Sequence, residues 1–203
     1  MKTINRFLKT LTAAVFTCLL PVQSAFSAGF HYQLDLTAKL VHNQKNELTA
    51  IQMSWIYDKE LSAILMDGED LSEANREKAL EKRKAEIFEG LTEVKYFTTV
   101  LLNNNALEVE KVKNYKLRLN KESRLQMNLT LPLKKSQALQ GKTLEIVVTD
   151  DSAVGLATFI DANHMLLGKQ FKAMCSKPSL VQKKLAEVDG HAQVVETMTI
   201  NCR

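Results

Sequence analysis

The chain has 203 residues, enough for one good-sized core or two small ones, and its 45% hydrophobic and 25% charged content is ordinary for a globular protein. Its formal net charge of +4 does not mark a nucleic-acid binder, because Lys2, Arg6 and Lys9 all precede Ser27 in a segment free of Asp and Glu. Without those three the chain carries 24 basic against 23 acidic residues, whereas phosphate binding requires a concentrated basic surface. The Lys111–Lys121 stretch reads as a solvated face.

Residues 1–27 have the three-part layout of a secretory signal. Lys2, Arg6 and Lys9 form a positive region, Leu8 to Leu20 an apolar core, and Gln23 to Ala28 supply small residues for cleavage. Cleavage after Ser27 places Ala25 and Ser27 at the two small positions and leaves 28–203 as one exported domain. The apolar run is too short and broken for a span of about 20 residues, and no later segment resembles a membrane-spanning helix. The expected location is the bacterial periplasm. Cys18 leaves with the signal, so Cys175 and Cys202 form an even pair in an oxidising compartment and are expected to make one disulfide.

Tyr32, Leu34, Leu36, Ala38 and Leu40 alternate with polar residues, as do Ile51, Met53, Trp55 and Tyr57. Around the turn at 43–46 they predict a β-hairpin. Asp58 is placed to cap a short helix over 58–66. The acidic break at 67–70 fails as a calcium loop, since its fifth, sixth and twelfth positions are Leu71, Ser72 and Lys78. Ser72 to Lys95 reads as one long helix with an apolar stripe and a charged face. Strands are expected at 96–102, 106–112, 115–119, 125–131 and 143–149. Phe159 and Ile160 are expected to be buried. A strand at 171–174, a short helix at 179–186 and a final strand at 193–200 complete the prediction. The fold class is α+β: a mostly antiparallel sheet or sandwich with one long helix and one disulfide.

Catalytic signatures are lacking. His31, His42, His164 and His191 show no metal-ligand spacing, and there is no nucleophile elbow and no Gly-rich phosphate loop. Asp150, Asp151 and Asp161 read as turn residues. The chain is expected not to be an enzyme.

The order of elements resembles a bacterial family, domain of unknown function 1007, whose members are described as uncharacterised periplasmic components of ABC-type transport systems. The family's opening His-Pro-His-x-Trp-Ile-Asp motif resembles residues 29–35, where His31 and Asp35 remain and the first His, the Pro and the Trp do not. Its Trp-x-Phe-Asp segment resembles residues 55–58, its Tyr-Phe-Thr step residues 96–98, and its cysteine pair Cys175 and Cys202. A later aromatic motif would fall at 149–154, where the aromatics are gone. The resemblance implies an accessory or binding protein for zinc-, nickel- or cobalt-type transport, partnered with a membrane metal transporter. Its candidate ligands are His31 and Asp35, joined by Asp58 or His164. The rival reading is a metal-free structural or protein-interaction module of the cell envelope, built around the face carrying Trp55 and Tyr57.

Overall fold

In the computed structural model the described residues are 31–188 and 190–203; the expected signal segment, 1–27, lies outside them. Two sheets share one hydrophobic core. The first is seeded by the predicted hairpin, β1 (Tyr32–His42) and β2 (Leu48–Tyr57), paired antiparallel from Leu34 opposite Tyr57. Alternation sends Leu34, Leu36, Ala38 and Leu40 inward together with Ile51, Met53, Trp55 and Tyr57.

Asp58 ends β2 and caps α1 (Lys59–Leu65), accepting a hydrogen bond from the Leu61 N–H at 2.7 Å. The long helix α2 (Arg76–Glu93) buries Ala79, Leu80, Ile87 and Leu91 and stacks Phe88 on Tyr115 at 3.7 Å between ring centroids. Its outer face carries ion pairs of Lys82 and Arg83 with Glu69, and of Arg83 with Glu86. A left-handed turn at 95–97 then feeds β3 (Thr98–Leu102) and β4 (Asn105–Ala106).

The predicted strand at 106–112 is largely absent. After β4 the chain runs irregularly from the second sheet to the first, held by pairs such as Glu110 N–H to the Pro132 carbonyl at 2.8 Å. It enters β5 (Tyr115–Leu119), then β6 (Leu125–Gln137), whose Leu125, Met127, Leu129 and Leu131 are all buried. β7 (Thr143–Thr149) follows as expected, and β8 (Gly155–Phe159) and β9 (Met165–Leu166) continue along one flank of β1, both parallel to it. Phe159 is buried, but Ile160 is 63% exposed, contrary to expectation, because β8 ends at Phe159 and the chain turns outward there.

The C-terminal assignments are exchanged. Residues 168–174 form a helix, α3 (Gly168–Met174), and the expected helix at 179–186 is part of a strand, β10 (Ser179–Val188), which pairs antiparallel with β11 (His191–Asn201). Pairing with β11 overrides the helix-like spacing of Val181 and Leu185, whose side chains stay exposed. The described residues thus hold three α-helices rather than one long helix, on a strand-rich, mostly antiparallel framework. The first sheet runs β5-β6-β2-β1-β8, with β9 beside β1, and the second runs β10-β11-β7-β3-β4.

Two internal ties position the C-terminal strands. The Cys175–Cys202 disulfide is present and joins the end of α3 to the residue after β11. Buried Glu196, on β11, accepts hydrogen bonds from the Thr158 hydroxyl and the Phe159 N–H (2.7 Å) of β8, and from Gln182 of β10 (2.8 Å). A buried carboxylate is tolerated when donors surround it, and here the donors come from both sheets. Among the described residues no helix is long and apolar enough to cross a membrane.

Candidate functional site

His31 stands at the threshold of β1, and its N–H donates to the Val154 carbonyl at 2.8 Å. That carbonyl belongs to the β7–β8 turn, which is fixed from within. Asp150 is buried there and accepts from the Tyr32 hydroxyl, the Gly155 N–H and the Ser152 N–H and hydroxyl. Tyr32 lies so close to Gly155 that a Cβ on the glycine would sit 1.9 Å from the tyrosine ring, so only glycine fits. Burial, reinforced by the Asp150 carboxylate, pushes the Tyr32 hydroxyl pKa up.

The Glu196 tie carries β11 alongside β8, and the first residue of β11, His191, arrives beside His31. Their ring centroids are 5.0 Å apart with a 58° tilt. His31 is exposed and His191 half-buried. This pairing joins two side chains 160 positions apart in sequence, and the hairpin turn before His191 uses Gly190 at φ +83°.

The other expected ligands are used differently. Asp35 forms an ion pair with Arg124 at 2.7 Å, and its second oxygen accepts from the Gln33 side chain at 2.8 Å. Arg124 is held in turn by the carbonyls of Tyr57 (2.7 Å) and Ile56. Asp58 spends one oxygen on capping α1 and the other on the Gln33 N–H at 2.6 Å. His164 faces Asp161 at 2.9 Å; that contact, with the Asn163 N–H, holds the Asp161 carboxyl below the usual range. Asp35 and His164 line one cavity of about 580 Å³, together with Arg118 and Arg124. The structure therefore brings Asp35 and His164 to a common cavity and leaves His31 and Asp58 outside its lining. Among the described residues no group of three or more His, Cys, Asp or Glu side chains is arranged to hold a metal.

Trp55 and Tyr57 do not form an exposed face. Both are buried, Trp55 completely and 5.9 Å from Phe97 between ring centroids, because β2 points this side of its alternation inward. Burial raises the Tyr57 hydroxyl pKa.

Residues 13–196 match the family described as "Protein of unknown function (DUF1007)". The chain belongs to this family. No curated protein matches it. The region matched to DUF1007 contains both His31 and His191 and ends at Glu196, the residue that ties β11 to β8.

Two functional candidates in this DUF1007 chain escape sequence reasoning. His191 lies at ligand spacing to no His or Cys, and the pairing of β10 with β11 delivers it beside His31. Arg124, the partner that occupies Asp35, lies 89 residues further on, in a turn whose local sequence signals nothing beyond a turn.

Proposed function

We propose that this DUF1007 protein is a non-enzymatic, periplasmic accessory of metal transport that carries a zinc-, nickel- or cobalt-type divalent cation between His31 and His191. The observation that supports the reading best is the 5.0 Å separation of the two imidazoles. With metal–nitrogen distances of about 2.0–2.1 Å, each ring centroid lies about 3.2 Å from the ion, and a tetrahedral angle separates two such centroids by about 5 Å. Imidazole nitrogen suits all three ions.

Two protein ligands leave coordination positions open for water or for a receiving protein. That suits a cargo picked up and handed on, in contrast to the closed four-ligand sites that stabilise folds. The disulfide supports residence in an oxidising compartment. The signal-like composition of residues 1–27 supports export. Asp35 is left out of the site because its charge is already balanced by Arg124. The metal-free interaction reading loses the surface it was built on, since Trp55 and Tyr57 are interior.

Calorimetric titration of the oxidised protein with zinc, nickel and cobalt tests the proposal. Binding of at least one of them by the wild type and by Asp35→Asn, weakened about tenfold or more in His191→Ala, is the expected result. Binding that persists unchanged in His191→Ala, or no binding of any of the three, overturns it.

A further inference from the structure

Further along the same flank of β1 as β8, β9 lies against β1 with Leu166 in register with Lys39. The chain then turns through Gly168 into α3 and passes the disulfide to Pro178. These segments enclose a cavity of about 650 Å³. Three lysines line it, Lys39 from β1, Lys172 from α3 and Lys177 from the segment after Cys175, and no aspartate or glutamate does. None of the three makes an ion pair or a side-chain hydrogen bond among the described residues. What sets them apart is their convergence on one concavity with no acidic residue in its lining. A local excess of three positive charges in a chain otherwise close to neutral is thus concentrated on one concavity.

The remaining wall is largely apolar. Met165 and Leu167 are buried beneath it, Leu166 is 46% exposed, and Ala162, Pro178 and the Cys175 half of the disulfide complete it. Asn163 and Ser176 add neutral polar groups. The walls are anchored independently of any ligand. The disulfide fixes the far end of α3, and Phe171 is fully buried 5.7 Å from His42 between ring centroids. Cations around a low-dielectric concavity reinforce one another's field, and a cavity of this size matches small-molecule sites, which run to about 300–1,000 Å³.

We infer that this cavity binds an amphipathic anion, a carboxylate or phosphate head held by Lys39, Lys172 and Lys177 with an alkyl tail covering Leu166. The site is separate from the His31–His191 pair and does not depend on metal. Neither half of such a ligand suffices. The head alone meets three solvated lysines, and the tail alone meets a wall whose rim repels nothing and attracts nothing specific.

The test uses the oxidised protein and displacement of 8-anilinonaphthalene-1-sulfonate, itself an apolar anion, followed by fluorescence. Octanoate and octyl phosphate should displace the probe, and their relative strength identifies the preferred head group. Octanol and acetate should fail over the same concentration range. Exposed single variants Lys172→Gln and Lys177→Gln should each weaken octanoate about threefold, and the combined Lys39→Gln/Lys172→Gln/Lys177→Gln variant by about tenfold or more. Lys45→Gln, in the 43–46 turn, should bind as the wild type does. Added salt should weaken octanoate in the wild type and much less in the triple variant. The inference is overturned if octanol displaces as well as octanoate, or if the single variants bind unchanged. The single variants keep the test decisive even where the triple variant folds poorly.

Discussion

Two regions at the beginning of β1 carry the residues that look most like metal ligands, and they behave in opposite ways. The Asp35 carboxylate is answered internally. Arg124 takes one carboxylate oxygen, Gln33 the other, and the carbonyls of Ile56 and Tyr57 hold the guanidinium. Four residues earlier, His31 meets His191 with ring centroids 5.0 Å apart, and among the described residues neither ring makes an ion pair. A carboxylate with its own counter-cation would have to give up that ion pair to bind a metal. Among the described residues the two imidazoles have no ion pair to give up. Sequence proximity placed Asp35 and His31 in one motif, while the packing made one a structural clamp and left the other available.

Removing the clamp should have the largest effect. Arg124→Ala leaves Asp35 partly buried without its cation, and a loss of about 3 kcal/mol is expected in urea denaturation. Pairing it with Asp35→Asn should recover part of that loss, since the damage comes mostly from the stranded charge. Metal binding by Asp35→Asn alone should match the wild type.

Disturbing the seat beneath His31 should come next. In Gly155→Ala the new methyl group displaces the Tyr32 ring and with it the bond to Asp150, at a cost of about 2 kcal/mol, and metal affinity should fall because Val154 no longer holds His31 in place. The double variant Gly155→Ala/Tyr32→Ala should be less destabilised than the sum of its parts.

Alkaline pH offers a graded version of the same perturbation. The folded protein holds the hydroxyls of Tyr32 and Tyr57 protonated beyond their ordinary range near about 10. Above that pH the unfolded chain releases protons that the folded chain retains, so stability should be intact below about pH 10 and decline as pH rises further. Tyr32→Phe, followed by thermal unfolding between pH 8 and 11, should flatten this decline. The smallest effect is expected for His31→Ala without metal, where an exposed ring is lost and stability should change by less than about 0.5 kcal/mol.

β1, β2 and β6 of the first sheet were legible because they alternate cleanly. Leu34 to Leu40, Ile51 to Tyr57 and Leu125 to Leu131 each send one side chain in two to the core. The cap by Asp58 and the disulfide were equally legible, resting on local chemistry and on cysteine count. The C-terminal third was legible only in part: the final strand expected at 193–200 falls within β11, while the helix and strand before it are exchanged. Seven residues of α3 are too few for a helical period to emerge, and the spacing of Val181 and Leu185 imitates a helix while both side chains remain exposed on a strand. The same alternation that revealed β2 also hides Trp55 and Tyr57, whose aromatic character suggested a binding face. For the site, His31 was recognisable by position and by resemblance, but its neighbour His191 is supplied by tertiary pairing alone.

The claim that His31 and His191 act as one site is tested most directly by a double-mutant cycle on zinc affinity, measured by competition with a chromophoric chelator. A shared ion predicts that His31→Ala and His191→Ala each weaken zinc by about tenfold or more, and that the double variant is scarcely weaker than either, because one ring alone holds little. Independent, additive losses, or a wild-type affinity in either single variant, would contradict it.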